Sequence, residues 1–328
     1  MNQFPLALGL ALALAASPVA ISLAYAQGYP TKAVNLIVPY APGGSVDPVA
    51  RLFTPRLAER LGQPIVIDNA VGAGGVIGTT KAANAPADGY TLLFSVESTM
   101  VIAKLVTPST VKYDGLKDFT AISLVGTSPL VLVGKPELSA RNAGELLQLM
   151  RNQPGKLNYA TSGIGTSLHL AGELINQVAK VSMVHVPYKV GAQIVTDLAG
   201  NQIDLAVLPL VSAQQAVRAG RIKAYGVLNG TRWPTAQEIP SLNEQSEFKG
   251  AEVLVWFGLF APAKTDAAIV GRLARDMNAV LKDAEIARRM SDLSLQPANF
   301  SPAEFAGFLQ KEHDKFSAVV KSANIKAE

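Results

Sequence analysis

The sequence predicts an α/β protein, the class in which short buried strands alternate with amphipathic helices. Three observations predict it. A short apolar run, a glycine-rich turn and a helical pattern follow one another near residue 34, the same order returns near residue 157, and further strand and helix patterns alternate between and after them. With 328 residues, about half of them hydrophobic, the chain can bury two medium-sized cores, so two domains are expected.

The first unit consists of a strand over 34–38, a glycine turn and a helix over 48–61 that ends at Gly62. Asp47 is expected to cap the helix, with Pro48 at the first helical position, where its missing N–H costs nothing. Glycines without Cβ let a ligand approach the backbone. The candidate binding residues of this turn are Tyr40, Pro42, Gly43, Gly44, Ser45 and Asp47.

The second unit repeats the pattern with a strand over 157–160 and a helix over 168–178. Thr166 or Ser167 is expected to cap this helix. His169 in its first turns could cap, pack or contact a ligand. The candidate binding residues of this turn are Thr161, Ser162, Gly163, Gly165, Thr166, Ser167 and His169.

Each turn presents free backbone N–H groups and the positive end of a helix dipole, which together bind anions. One such turn is equally well explained as a tight connection without a ligand. Two of them on separate lobes, with no nucleophile paired to a base, fit a clamshell that closes over a carboxylate held by neutral donors. Neutral donors avoid the cost of desolvating a counter-charge.

A third loop follows the strand over 91–94, at the carboxyl end where ligands of open α/β sheets lie. It contains Glu97 and Ser98. Glu97 is interpreted as a charge on a solvated loop. The alternative hypothesis is that it contacts an ammonium or hydroxyl group of a ligand. The nearby glycine run over 72–78 is not a dinucleotide fingerprint, because Ile77 stands where the third glycine is required.

The remaining elements alternate in type, which predicts parallel sheets. Trp256 and its aromatic neighbours are expected in the core. Strands are predicted over 64–68, 119–125, 130–133, 184–188, 203–207, 222–228 and 256–262, and helices over 143–151, 191–198, 212–219, 266–281 and 302–320.

Composition excludes several classes of function. The net charge is only +4, without a basic block, so nucleic acid is not an expected partner. There is no cysteine, and the three histidines lack metal-ligand spacing, so neither a disulfide, a metal nor a cofactor is expected. The apolar run over 6–16 and the small-residue box at 24–26 predict a signal peptide over 1–26 and export to the periplasm, with a retained anchor as the alternative.

Several short motifs, in this order, resemble the substrate-binding receptors of tripartite tricarboxylate transporters, the Bug family. They are Val38-Pro39 with Pro42-Gly43-Gly44 and Asp47, Gly72-Ala73-Gly74-Gly75, Asp88-Gly89-Tyr90, Ser162-Gly163-Ile164-Gly165-Thr166-Ser167, Val186-Pro187-Tyr188 and Trp256-Phe257-Gly258. The resemblance covers the whole chain after the signal peptide.

The resemblance implies a type II periplasmic binding-protein fold with two α/β lobes and a ligand cleft between them. Lobe 1 is expected over 27–126 plus 229–328 and lobe 2 over 127–228, with hinges near 125–128 and 227–230. It also implies that the strand containing Asp204 lines the cleft. Two departures bear on the ligand: Val190 interrupts a usual Lys-Gly pair, and Glu97 stands where the family commonly has small neutral residues.

The function implied is an extracytoplasmic receptor, expected to be a monomer, that binds a small carboxylate and delivers it to a membrane permease. The ligand could be a dicarboxylate, a tricarboxylate, an acidic amino acid or an aromatic acid. Two alternatives stay open. One is an exported hydrolase that pairs Ser162 or Thr166 with His169, and the other is a ligand-sensing subunit of a signalling system.

Overall fold

The structure is a computed structural model that describes residues 28–188, 191–322 and 325. The predicted signal peptide and the interrupting Val190 lie outside these residues. Among the helices that the structure does describe, none combines the length and the apolar character needed to cross a membrane.

Strands and helices alternate as the sequence predicts, and most bounds agree within two residues. The strands are β1 (Val34–Val38), β2 (Ile65–Asn69), β3 (Thr91–Val96), β4 (Phe119–Gly134), β5 (Asn158–Thr161), β6 (Val184–Pro187), β7 (Leu205–Pro209), β8 (Lys223–Val227), β9 (Leu254–Pro262) and β10 (Gln296–Pro297). The helices are α1 (Asp47–Leu61), α2 (Val76–Ala83), α3 (Ala103–Val106), α4 (Ala143–Asn152), α5 (Ser167–Ala179), α6 (Gly191–Ala199), α7 (Leu210–Arg218), α8 (Ala267–Leu281), α9 (Ala284–Asp292) and α10 (Pro302–Ser322).

The sheet contains two parallel groups of strands. In the first lobe β1 lies between β2 and β3, and in the second lobe β5 lies between β6 and β7. The order along the sheet is β2-β1-β3-β9-β4-β7-β5-β6. The prediction of parallel pairing is wrong for β4, β8 and β9, which pair antiparallel with their neighbours. Strand β4 runs from the first lobe into the second, pairing with β9 in the one and with β7 and β8 in the other.

Strand β4 is one continuous strand of 16 residues, where the sequence predicts two separate stretches. Its partner is β9 as far as Pro129 and β7 from Leu130 onward. Leu228 returns to the same point, since its N–H donates to the carbonyl of Leu130 at 2.8 Å. The chain therefore crosses between the lobes at one narrow place.

The aromatic residues of β9 lie in the core, as predicted. Trp256 is fully buried, and its ring packs edge-on against Phe305 of α10 at 5.9 Å between centroids. Phe257 stacks with Phe94 of β3 at 6.3 Å. These contacts hold the end of β3, and the loop that follows it, against the crossing strands.

Candidate functional site

The carboxyl ends of β1, β3 and β5 bring the three predicted loops together. Because Ile37 of β1 pairs with Leu93 of β3, the turn after β1 lies beside the loop after β3. The loop after β5 meets them from the other lobe, since Ser167 hydrogen-bonds to both Glu97 and Ser98. The loop after β5 therefore contacts the loop after β3, which lies beside the turn after β1.

Asp47 holds the first turn in shape. It is 3% exposed, and its carboxylate accepts hydrogen bonds from the Gly43 N–H (3.2 Å), the Arg51 Nε (2.8 Å) and the Asn69 Nδ2 (3.0 Å). Burial by itself raises the pKa of Asp47, but these hydrogen bonds and the charge of Arg51 lower it below its ordinary value. The carboxylate is therefore ionised, and both of its oxygen atoms accept hydrogen bonds from the protein.

The prediction that Asp47 caps α1 is wrong, because Val46 occupies the N-cap position and Asp47 is the first helical residue. No described side chain caps this end of the helix. The free amides of the first turn, with the helix dipole behind them, are left for a small anion or for water.

Tyr40 packs beneath the first turn. A Cβ on Gly75 would lie 3.0 Å from its ring and 2.7 Å from Thr99, so only glycine fits between them. The Tyr40 hydroxyl is buried and has no hydrogen-bond partner among the described residues. Burial, together with the nearby Glu97, raises the pKa of Tyr40 well above its ordinary value, so the phenol is neutral.

Thr166 caps α5, as the sequence predicts. Its hydroxyl oxygen accepts from the His169 N–H at 3.3 Å and its O–H donates to the Gly163 carbonyl at 2.9 Å. Gly163 and Gly165 have φ values of +131° and +74°, which side chains other than glycine adopt only with strain. The turn is thus held by its own hydroxyl and glycines.

His169 and His185 form a stacked pair beneath this turn, with ring centroids 4.1 Å apart. The Gly165 N–H donates to Nδ1 of His169 at 3.2 Å, and Thr161 Oγ1 lies 2.6 Å from Nε2 of His185. Burial and the neighbouring His169 lower the pKa of His185 to about 4, and burial also lowers the pKa of His169. Two neutral rings therefore position the turn.

His185 was not among the predicted residues. The signal that could have found it is its position on the strand that follows α5, because that strand lies beside β5, where His185 pairs with Tyr159. The proposed hydrolytic pairing does not form in the structure. The Thr166 hydroxyl donates to a carbonyl, and the His169 nitrogen that could accept a proton already receives a backbone N–H.

Glu97 is buried, at 1% exposure, so its interpretation as a solvated loop charge is wrong. Its Oε1 accepts the Ser167 hydroxyl at 2.5 Å and its Oε2 accepts the Trp256 N–H at 3.1 Å. No lysine or arginine among the described residues forms an ion pair with it. Burial raises the pKa of Glu97 to about 7 and nearby Glu312 also acts to raise it, against the two hydrogen bonds, which lower it.

Ser98 completes the contact between the lobes. Its hydroxyl oxygen accepts the Ser167 N–H at 3.3 Å, and the two hydroxyl oxygens are also 3.3 Å apart. A Cβ on Gly165 would lie 2.8 Å from Val106 of the first lobe. The first turn of α5 and its glycine turn are therefore packed closely against the first lobe.

Asp204 is not brought together with the other candidates. It precedes β7 at the same end as Asn158 of β5, which is the end opposite Thr161. Its carboxylate accepts from the Asn158 N–H at 3.0 Å and forms an ion pair with Lys135 at 2.8 Å. The expectation that Asp204 lines the cleft is corrected here, because a parallel strand carries its first and last residues to opposite edges of the sheet.

The three loops therefore place the starts of α1 and α5 at neighbouring strand ends, with the hydroxyls of Ser98 and Ser167 in the contact between the lobes. Within the described ranges, no cluster of three or more His, Cys, Asp or Glu is placed to hold a metal ion. Two α/β lobes joined by crossing strands, with a binding gap at the carboxyl strand ends, define a solute-binding protein of the two-lobed periplasmic type.

The comparisons with known proteins agree with this class. The chain matches the profile described as "Tripartite tricarboxylate transporter family receptor" over residues 49–325, and it belongs to that family. It is 31% identical to protein BugT of Bordetella pertussis over 328 residues, 99% of each chain.

Two solved structures are also similar. The periplasmic binding protein BugD is 30% identical with a TM-score of 0.85, covering 92% of this chain and 100% of that one. A Rhodopseudomonas palustris protein solved with adipate is 31% identical with a TM-score of 0.87, covering 91% and 99%. Because the members of this family are receptors, the chain is a solute-binding receptor and not an enzyme.

Proposed function

We propose that this receptor captures a small organic carboxylate between its lobes, in the periplasm, and delivers it to a membrane permease. The observation that carries the proposal is the uncapped start of α1 at the carboxyl end of β1, beside the β3 loop whose Glu97 and Ser98 contact Ser167 of the other lobe. The proposed site is Tyr40, Pro42, Gly43, Gly44, Ser45, Asp47, Glu97, Ser98, Thr161, Ser162, Gly163, Gly165, Thr166, Ser167 and His169. Among these, Asp47, Tyr40 and His169 act by positioning the loops.

A carboxylate suits this gap on physical grounds. Free amides at a helix start, reinforced by the dipole, stabilise a negative group without a buried cation. The charge of Asp47 does not oppose the ligand strongly, because Arg51 pairs with it at 2.8 Å. A charge-assisted hydrogen bond to each free amide then supplies binding energy and fixes the carboxylate plane.

The lobes are assigned as 27–126 with 229–328, and 127–228. The change of partner of β4 after Pro129 and the contact of Leu228 with Leu130 support a hinge at this crossing. Two crossing strands that share one narrow place allow the lobes to close on a ligand as rigid bodies.

The similar proteins support the ligand class and the setting. One is described with adipate, a dicarboxylate, and another as periplasmic. A receptor of a tripartite transporter delivers its solute to membrane subunits, so export and a permease partner follow for this chain as parts of the proposal.

Thermal and urea unfolding with a panel of mono-, di- and tricarboxylates, acidic amino acids and aromatic acids tests the proposal. A ligand at about 100 times its Kd should stabilise the native protein by about 2.7 kcal/mol. The variant Ser45→Asp places a negative charge on the first turn and should abolish this effect. The matched control, Ser182→Asp, is exposed before β6 and should retain it. No stabilisation by any acid, or equal loss in both variants, would contradict the proposal.

A further inference from the structure

We propose that Glu97 determines specificity in this cleft. Its carboxylate takes the anion-binding place at the start of α5, so the receptor selects solutes with one carboxylate whose other end is neutral or positively charged. This inference rests on the proposed function and makes its ligand class narrower.

Both donors of Ser167, the first residue of α5, are already used by the first lobe. The Ser167 hydroxyl donates to Glu97 and the Ser167 N–H donates to Ser98. Within the same turn, the Gly163 N–H is directed to the Thr161 hydroxyl and the Gly165 N–H to the His169 ring. A ligand carboxylate that approached this end would therefore meet amides that already have acceptors.

Within the described part of the chain, no lysine or arginine forms an ion pair with Glu97 that would neutralise its charge. Its hydrogen bonds come from the hydroxyls of Ser167 and Ser98 and from the Trp256 N–H. The neighbouring acid, Glu312 of α10, accepts from the Trp256 ring N–H and pairs with Lys315. A second carboxylate beside Glu97 would bring two like charges together in a site of low dielectric, where such repulsion is strong.

The opposite end of the gap has the reverse character. Among the described residues, no side chain caps the start of α1. The Gly43 N–H is directed to Asp47 and the Gly44 N–H to the Ala41 carbonyl, so the amides left for a ligand are those of residues 45–47. The acid nearest to them, Asp47, is paired with Arg51. The cleft thus has one end that accepts an anion and one end that already contains one. A solute whose charges are complementary to these two ends places its carboxylate on the first turn and a neutral or cationic group near Glu97.

Pairs of solutes that differ at one end test this directly. We expect the wild-type protein at pH 8 to bind the monoamides of succinate, glutarate or adipate at least tenfold more tightly than the parent dicarboxylates, measured by calorimetry. Glu97→Gln should raise the dicarboxylate affinity at least tenfold and change the monoamide affinity by less than threefold. The matched control is Glu312→Gln, another buried glutamate, which should leave the preference unchanged.

Wild-type protein alone gives a second readout. Lowering the pH from 8 to 6 should weaken its preference for monoamides, because protonation removes the charge of Glu97 while the dicarboxylates stay ionised. The other groups around it are Tyr40 and Tyr113 of the first lobe, His169 of α5, and Glu312 with Lys315 of α10. The pKa of Tyr40 and of Tyr113 is raised, so neither phenol changes charge in this interval, and burial lowers the pKa of His169, which favours its neutral form.

Two results would overturn the inference: equal or tighter binding of the dicarboxylates by wild type at pH 8, or an equal change for both members of each pair in Glu97→Gln. These results leave the proposed function standing, since a carboxylate still binds. If neither protein binds any acid of the pairs or of the wider panel, the proposed function and this inference both fail.

Discussion

Replacing Glu97 by glutamine should change how the free energy of unfolding depends on pH. The pKa of this carboxyl is about 7 in the folded protein against 4.5 in the unfolded chain, with burial as the main cause. An acid with a raised pKa binds its proton more tightly when folded. Its contribution to stability is therefore complete below about pH 4.5 and is lost as the pH rises through about 7.

The size of the effect follows from the difference between the folded and unfolded pKa values. Between pH 5 and pH 8 the wild-type protein should lose about 2 to 3 kcal/mol of unfolding free energy through Glu97, because a tenfold change in proton affinity corresponds to about 1.4 kcal/mol. Glu97→Gln does not titrate and lacks this loss, although one of the donors on Ser167 and Trp256 loses its acceptor at every pH.

Urea unfolding of both proteins at pH 5 and pH 8 measures the loss as a double difference. Subtracting the two proteins removes the contributions of all other titrating groups, including His169 and His185, which act in the opposite direction on the acid side. The same pH dependence in both proteins would refute the reasoning, since it would mean that Glu97 titrates alike in the folded and unfolded chains.

Two further substitutions test the placement of the site. Gly165→Ala should weaken ligand binding about tenfold, because its φ of +74° is strained and its Cβ would meet Val106 of the other lobe at 2.8 Å. Gly220→Ala is the control, because Gly220 has a similar φ of +67° but open space around it, so this variant should lose only about 1 kcal/mol of stability. Urea unfolding measures the stability of both variants and calorimetry measures their ligand affinity. Equal Kd values for the two variants would argue against a contact between Gly165 and the first lobe that matters for binding. Asp204→Asn should lower the unfolding free energy by about 1 to 2 kcal/mol by removing the half-buried pair with Lys135. The Kd of this variant for the ligand should stay unchanged, and a tenfold loss of affinity would show that Asp204 contributes to ligand binding.

The local architecture could be predicted because its causes are local. Gly62 adopts the left-handed conformation that ends α1, and Thr166 caps α5 through its own side chain. The two glycine turns likewise depend on a few neighbouring residues. Apolar runs between such boundaries predicted where the strands begin and end.

The pairing of β4 and β9 could not be predicted in the same way. Periodicity marks a strand but does not say which neighbour it pairs with or in which direction, since that depends on contacts over a hundred residues apart. The sequence therefore predicted parallel sheets and two stretches where the structure has one long antiparallel strand.

The sequence by itself determined the α/β elements and the two helix-start turns, and it led to the hypothesis of a carboxylate ligand. Only the tertiary structure decided that Glu97 is buried and that Asp204 lies at the far edge of the sheet. The physical reason is that burial and charge environment depend on which segments meet. Glu97, Ser167 and Trp256 are far apart in the chain and meet only when the two lobes and the crossing strand are assembled.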